Sequence, residues 1–234
     1  MQYKHLFFDM DGTVAPSRQP AHPEMIAMLN KLMTDDITVA IASGSHNKQM
    51  AFQMAGADVI KMGQNGNHCE HPTQGELWFD TLTAEQKEEV FTHTTQVWEA
   101  CTHEVPDEND LLEDRGSQIS LSIYGHHADP AEKKAFDGDF KKRTLLLEQF
   151  PFVSDEIEVK MGGSTCLDYF KKGRNKGHNI NRLITEMGWD TEGCLFFGDA
   201  LFPGGNDESV VGIIETRSVT DEHDCLQQLQ KLFI

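Results

Sequence analysis

The chain has 234 residues, of which 38% are hydrophobic, enough for a packed core in one large or two modest domains. Aromatic residues at 9% and charged residues at 25% are ordinary globular values and exclude wholesale disorder. With 20 basic against 38 acidic residues the formal net charge is −18, so neither nucleic acid nor an anionic membrane is an expected partner, and an anionic substrate needs a local cluster of cations.

The N-terminal KHLFFD (residues 4–9) reads as a short buried parallel strand ending in acid. Asp9 and Asp11 interrupt the apolar stretch before a signal-peptide core forms, and no run approaches the roughly 20 apolar residues that span a bilayer. Residues 23–33 open on Pro23 and Glu24 and set Ile26, Leu29 and Met33 on one helical face. A second strand is expected at 37–42, a helix near 46–55 and a third strand at 58–62. Asn65-Gly66 then makes a hairpin turn, with GELWFD as its return strand.

Near residue 82 the pattern changes. Thr83 and Gln86 form a capping box for a long helix with Val90, Thr94, Val97, Trp98 and Cys101 on one face. The acidic run from Glu104 to Asp114 reads as a solvated loop. SQISLSIY (117–124) alternates as an antiparallel strand, one long helix is expected over 129–149, and IEVKM and TCLDYF are strand candidates. After Gly173 alternation resumes with a helix at 176–187, strand 194–199, a short strand at 212–214 and a C-terminal helix. The expected class is α/β, a parallel-sheet core of residues 1–81 and 173–234 interrupted by an α+β insertion with an antiparallel sheet over 82–172. The five cysteines are odd in number and contain no CxxC pair, which supports neither a disulfide framework nor a thiolate zinc site and makes a cytoplasmic location the expectation. His68, His71, His126 and His127 read as surface or polar core residues rather than a metal set.

Four short segments carry chemistry. In FDMDGT (8–13), Asp9 and Asp11 stand at the carboxyl end of the first strand, where open α/β sheets bind ligands. Two carboxylates this close repel, so the pair makes sense beside a cation or with one acid protonated, and Gly12 turns the chain back over it. A capped strand end is the bland alternative. A calcium loop fails, because Thr13 and Val14 stand where an EF-hand needs a ligand and a glycine. In FFGDALFPGGND (196–207), Asp199, Asn206 and Asp207 offer hard oxygen ligands suited to Mg²⁺. ASGS (42–45) places Ser43, with Ser45 in reserve, at a strand end as a phosphate cradle. KKGRNKG (171–177) is a cationic patch from which Lys176 would pin a phosphate.

That order of groups resembles the haloacid dehalogenase-like phosphotransferases, and within them the eukaryotic-type phosphomannomutases. The matching stretches are FDMDGTVAPSRQ, EDRGSQISLSIYG, GGSTCLDYFKKG followed by Lys176, and FFGDALFPGGND. The resemblance implies a Rossmann-like core with an inserted α/β cap, and a dimer through that cap. It implies Asp9 as the nucleophile that takes the phosphoryl group, Asp11 as general acid/base, and Ser43 and Lys176 as phosphate ligands. Mg²⁺ would be held by Asp9, Asp11 (through its carbonyl) and Asp199, supported by Asn206 and Asp207. Arg18, Arg115, Ser164 and Asp168 match residues that contact a phosphorylated sugar.

Departures from the mutase pattern bear on the outcome. His126 and Lys133 stand where mutases carry arginines, GWDK reads Gly173-Arg174-Asn175-Lys176, and Ser43 replaces a glycine as in many family phosphatases. A mutase grips one phosphate in its cap while the other reacts, and losing forked arginines weakens that grip. The expectation is therefore a Mg²⁺-dependent sugar-phosphate phosphatase, with phosphomannomutase as the alternative. A non-catalytic receiver domain is disfavoured, since GQNGN after the third strand lacks an acceptor aspartate.

Overall fold

The computed structural model describes residues 2–233. The chain divides into two compact units, Met1–Phe79 with Arg174–Ile234, and Asp80–Gly173.

The first unit opens with β1 (His5–Phe8), α1 (Pro23–Thr34), β2 (Thr38–Ala42), α2 (Asn47–Gln53), β3 (Ile60–Gly63), β4 (His68–His71) and β5 (Gly75–Phe79). Leu6, Phe7 and Phe8 are all fully buried, as apolar residues on both sides of a central parallel strand must be. Pro23 occupies the first turn of α1, whose missing N–H costs nothing there, and Met25, Met28, Leu29 and Leu32 form its buried face. The expected hairpin differs in one respect. Gln64, Asn65 and Gly66 all take positive φ and lead into β4, so GELWF forms a third strand rather than the return strand of that turn.

The inserted unit contains α3 (Ala84–Glu99), β6 (Leu112–Asp114), β7 (Gln118–Ser122), α4 (Pro130–Asp137), α5 (Lys141–Gln149), β8 (Ile157–Gly162) and β9 (Cys166–Lys171). Thr83 and Gln86 complete a reciprocal capping box at the start of α3. The sheet order is β6-β7-β9-β8, antiparallel throughout. Ile119, Leu121, Leu167 and Tyr169 pack in one apolar cluster with Val90 and Val97 of α3. Opposite them on the pleat, the cross-strand pairs Glu113–Ser120, Ser120–Asp168 and Ser122–Cys166 make the other face polar.

Two expectations fail here. The acidic run is not all loop, because Leu112–Asp114 pairs with β7 as an edge strand. The single helix over 129–149 is two. Phe140 turns left-handed at φ 64°, and the Asp137 carboxylate starts the next helix by accepting the Lys142 N–H at 2.7 Å and the Arg143 Nε–H at 2.6 Å.

The chain then completes the first unit with α6 (Lys176–Met187), β10 (Cys194–Gly198), β11 (Glu215–Ser218) and α7 (Glu222–Phe233). The last strand lies later than the expected 212–214, which is spent on a turn at Gly212 (φ 87°) and a lone bridge from Val211 to Ile214. The finished sheet runs β11-β10-β1-β2-β3-β4-β5, parallel from β11 to β3. Phe8 lies level with both Ile41 and Phe197, so the segments after β1, β2 and β10 leave the carboxyl edge side by side. That edge is where strand order reverses and a crevice opens.

Candidate active site

Asp9 directly follows β1, and its N–H donates to the Phe197 carbonyl at 2.9 Å, which ties the residue to the end of β10. Asp199 directly follows β10 in the same way. Gly12 is required by this approach: its φ is 81°, and a Cβ there would lie 2.8 Å from Asp199 Oδ2. Gly198 serves the same purpose on the other side, since any side chain would strike the Asp207 carboxylate. The loop after Asp199 returns so that Asp207 Oδ2 accepts the Ala200 N–H at 3.3 Å.

Lys176, at the start of α6, binds the cluster together. Its fully buried ammonium donates to Asp9 Oδ1 at 2.7 Å and to Asp207 Oδ1 at 2.5 Å. Carboxylate oxygens of Asp9, Asp199 and Asp207 all lie within 4.8 Å of one another. One cation therefore faces three acids. Burial works against the charge of Lys176, but Asp207 and Asp9 outweigh it and hold the amine above its ordinary value. Burial pushes the Asp9 carboxyl well up; Lys176 opposes this, while Asp207 and Asp199 reinforce it. Asp199 rises to about 6 by burial and the Asp207 charge. A surplus of negative charge held on close oxygens matches a hard divalent cation.

Asp11 takes a different position. Its Oδ1 accepts from the Arg18 backbone N–H and from the Gln53 side-chain amide, both at 2.9 Å. Ser43, just beyond β2 and 3% exposed, receives the Ser45 N–H on its hydroxyl at 3.1 Å. Asn206 is exposed, and it is Asp207 beside it that joins the buried cluster.

A protein-family model described as haloacid dehalogenase-like hydrolase matches residues 6–209, which include every group just named. The chain belongs to that family. It is a phosphoryl-transfer enzyme of that family. It is 26% identical over 248 residues to a phosphomannomutase of Schizosaccharomyces pombe, covering 97% of this chain and 93% of the relative. It is 25% identical over 249 residues to an HMP-PP phosphatase of Serratia proteamaculans, covering 97% and 89%. A solved haloacid dehalogenase-like hydrolase from Bacillus subtilis shares the fold with a TM-score of 0.67 at 14% identity, over 98% of this chain and all of that one. Among the described residues, no helix is long and apolar enough to cross a membrane.

In the inserted unit, Arg115 is nearly enclosed and donates through Nε (2.8 Å) and Nη2 (2.6 Å) to Glu113 Oε2. Asp168 accepts from Ser120 Oγ at 2.5 Å. Ser164 lies in the turn between β8 and β9, and its carbonyl accepts from Arg143 Nη2 at 2.9 Å. No pattern in the sequence marks Arg143. It is entirely buried, paired with Asp137, and donates to the carbonyls of Gly162, Gly163, Ser164 and Cys166, so that one guanidinium shapes the whole turn. Gln53 carries no sequence signal either. It sits on a helix of seven residues, and only its buried amide beside Asp11 reveals it.

Proposed function

We propose that the chain is a phosphatase of small phosphorylated sugars that works through an aspartyl phosphate on Asp9. The observation that carries this reading is the buried bridge from Lys176 to Asp9 and Asp207, with Asp199 alongside. A carboxylate at a strand end, tied to a fixed ammonium, is oriented for attack on phosphorus. The same ammonium then faces the charge that collects on the transferring group.

In this reading Asp9 attacks the phosphorus and the leaving sugar oxygen takes a proton from Asp11. Arg18 N–H and Gln53 fix one oxygen of Asp11, which aims the other at that task. Asp11 next accepts a proton from water, which attacks the phosphoryl group on Asp9 and frees the carboxylate. Ser43, with its hydroxyl held by the backbone of the next turn, binds a phosphate oxygen. Asp9, Asp199 and Asp207 would hold Mg²⁺, with Asn206 and the Asp11 carbonyl as further oxygen donors, and the ion would neutralise phosphate charge and favour in-line displacement. Lys176 keeps its proton throughout.

Substrate choice is assigned to Arg115, Ser164 and Asp168. Hydrolysis is favoured over mutase turnover by the state of the cations in the inserted unit. Lys133 donates to the His126 carbonyl at 2.9 Å. His126 is 1% exposed, with Nε2 against the Ser120 carbonyl. Positions where the mutase pattern has forked arginines are thus occupied by groups satisfied within their own unit, which leaves a weaker grip for a second phosphate. The relatives include a phosphomannomutase, so that activity is the second reading.

Mannose 1-phosphate, assayed for both products with and without glucose 1,6-bisphosphate, separates the two. Release of inorganic phosphate regardless of bisphosphate is expected. Bisphosphate-dependent isomerisation with little phosphate release would establish the mutase instead.

A further inference from the structure

The polar face of the inserted sheet carries a thiol that phosphoryl transfer does not use. Cys166, at the start of β9, is partly buried, and its Sγ lies 3.8 Å from His126 Nδ1. The His126 ring is fixed from behind: Nε2 stands 3.1 Å from the Ser120 carbonyl, which lacks a proton to give, so Nε2 carries one. Nδ1 is therefore the atom that exchanges a proton with the sulfur. Glu113 Oε1 lies 3.8 Å from the same nitrogen and favours the imidazolium. The remaining charges around the pair are Arg115, bound to Glu113; Lys133 of α4, donating to the His126 carbonyl; Asp168 of β9; and Asp110, which accepts from the His127 N–H.

We propose that Cys166 is a modification site, a thiol that hydrogen peroxide oxidises to the sulfenic acid, with His126 as the group that holds it ready. In the step, the thiolate attacks one peroxide oxygen, an S–O bond forms and the O–O bond breaks. Sulfur loses two electrons, the peroxide gains them, and the departing hydroxide takes the Nδ1 proton of His126 to become water.

Among the described residues, no histidine acts on the thiols of the other four cysteines. Burial pushes the thiol of Cys69 up to about 12 and that of Cys194 up to about 11, and raises Cys225 and Cys101 as well. Burial also opposes ionisation of Cys166, but the hydrogen bond and charge of His126, helped by Lys133, overcome it against Asp168 and leave the thiol below its ordinary value. His126 shifts the opposite way: burial disfavours its charge, and Cys166 and Glu113 more than restore it. Histidine at 126 stands where the mutase resemblance expects arginine, so the pair is a feature of this chain rather than of that pattern. The proposal is independent of which acceptor the phosphoryl group takes.

The test is site-resolved labelling of the full-length protein by peptide mass spectrometry. Iodoacetamide rates are followed from pH 5 to 9, and a dimedone adduct is sought after exposure to hydrogen peroxide at pH 7. Cys166 should alkylate at least tenfold faster than Cys101, the other partly buried thiol, with a midpoint below that of an ordinary thiol. The dimedone adduct should appear at Cys166 and vanish in Cys166→Ser. His126→Gln should slow alkylation of Cys166 at pH 7 at least tenfold and move its midpoint upward. Equal rates for Cys166 and Cys101 in the wild-type protein, or an ordinary thiol midpoint at Cys166, would overturn the proposal whether or not the His126 variant folds.

Discussion

Replacing Lys176 by methionine removes the ammonium while keeping an unbranched chain of similar length. The structure then leaves Asp9, 3% exposed, and Asp207, wholly enclosed, without the cation each bonds at 2.7 and 2.5 Å. Breaking a buried ion pair by deleting one member costs about 3–5 kcal/mol, because the remaining charge stays out of water. The variant can hold one proton more than the wild type on this cluster, because the cation that opposes protonation of Asp9 is gone. Its native state can take up a proton on the carboxylate cluster, and each pH unit over which it holds one extra proton recovers about 1.4 kcal/mol. Urea unfolding in EDTA should therefore show a deficit near the upper figure at pH 7.5 that shrinks by roughly 2.7 kcal/mol at pH 5.5. Turnover should fall at least a thousandfold at both. A variant as stable as wild type at pH 7.5, or a deficit that does not change with pH, would refute the claim that Lys176 neutralises a buried surplus of acid.

Asp9→Asn should retain the fold and lose turnover at least a thousandfold, judged by circular dichroism and phosphate release. In EDTA the raised carboxyl of Asp199 favours the folded protein at low pH, and that contribution is lost as pH rises from about 4 to about 6. The effect is roughly 1–3 kcal/mol once solvent screening is allowed for, and added Mg²⁺ should cancel it, as thermal melts would record. Arg143→Lys keeps the charge but cannot serve the carbonyls of residues 162, 163, 164 and 166 together. It should cost about 2–4 kcal/mol and raise KM for the sugar phosphate more than it lowers kcat.

Much of the fold follows from residues that obey local rules. Phe7 and Phe8, Val39 to Ala42 and Leu195 to Phe197 are continuous apolar runs because they line a sheet buried on both faces. Asp9, Ser43 and Asp199 follow these runs at the same edge, so the approach of Asp9 to Asp199 was readable from element ends once β1 and β10 are neighbours, whereas the ion pairs of Lys176 with Asp9 and Asp207 were not. What escaped depends on distant partners. The break between α4 and α5 is enforced by Asp137 reaching Lys142 and Arg143, and a helical pattern of residues cannot display that bond. Leu112–Asp114 is a strand because β7 lies beside it, despite an acidic composition that suits a loop. Gln53 and the His126–Cys166 pair have no spacing signature, since each joins residues about 40 positions apart.

Chemical trapping at residue 9 tests the central assignment most directly. Enzyme quenched during turnover with borohydride should yield homoserine at position 9, because an acyl phosphate is reduced where a free carboxylate is not. An unmodified Asp9 in samples that turn over at full rate would contradict the account.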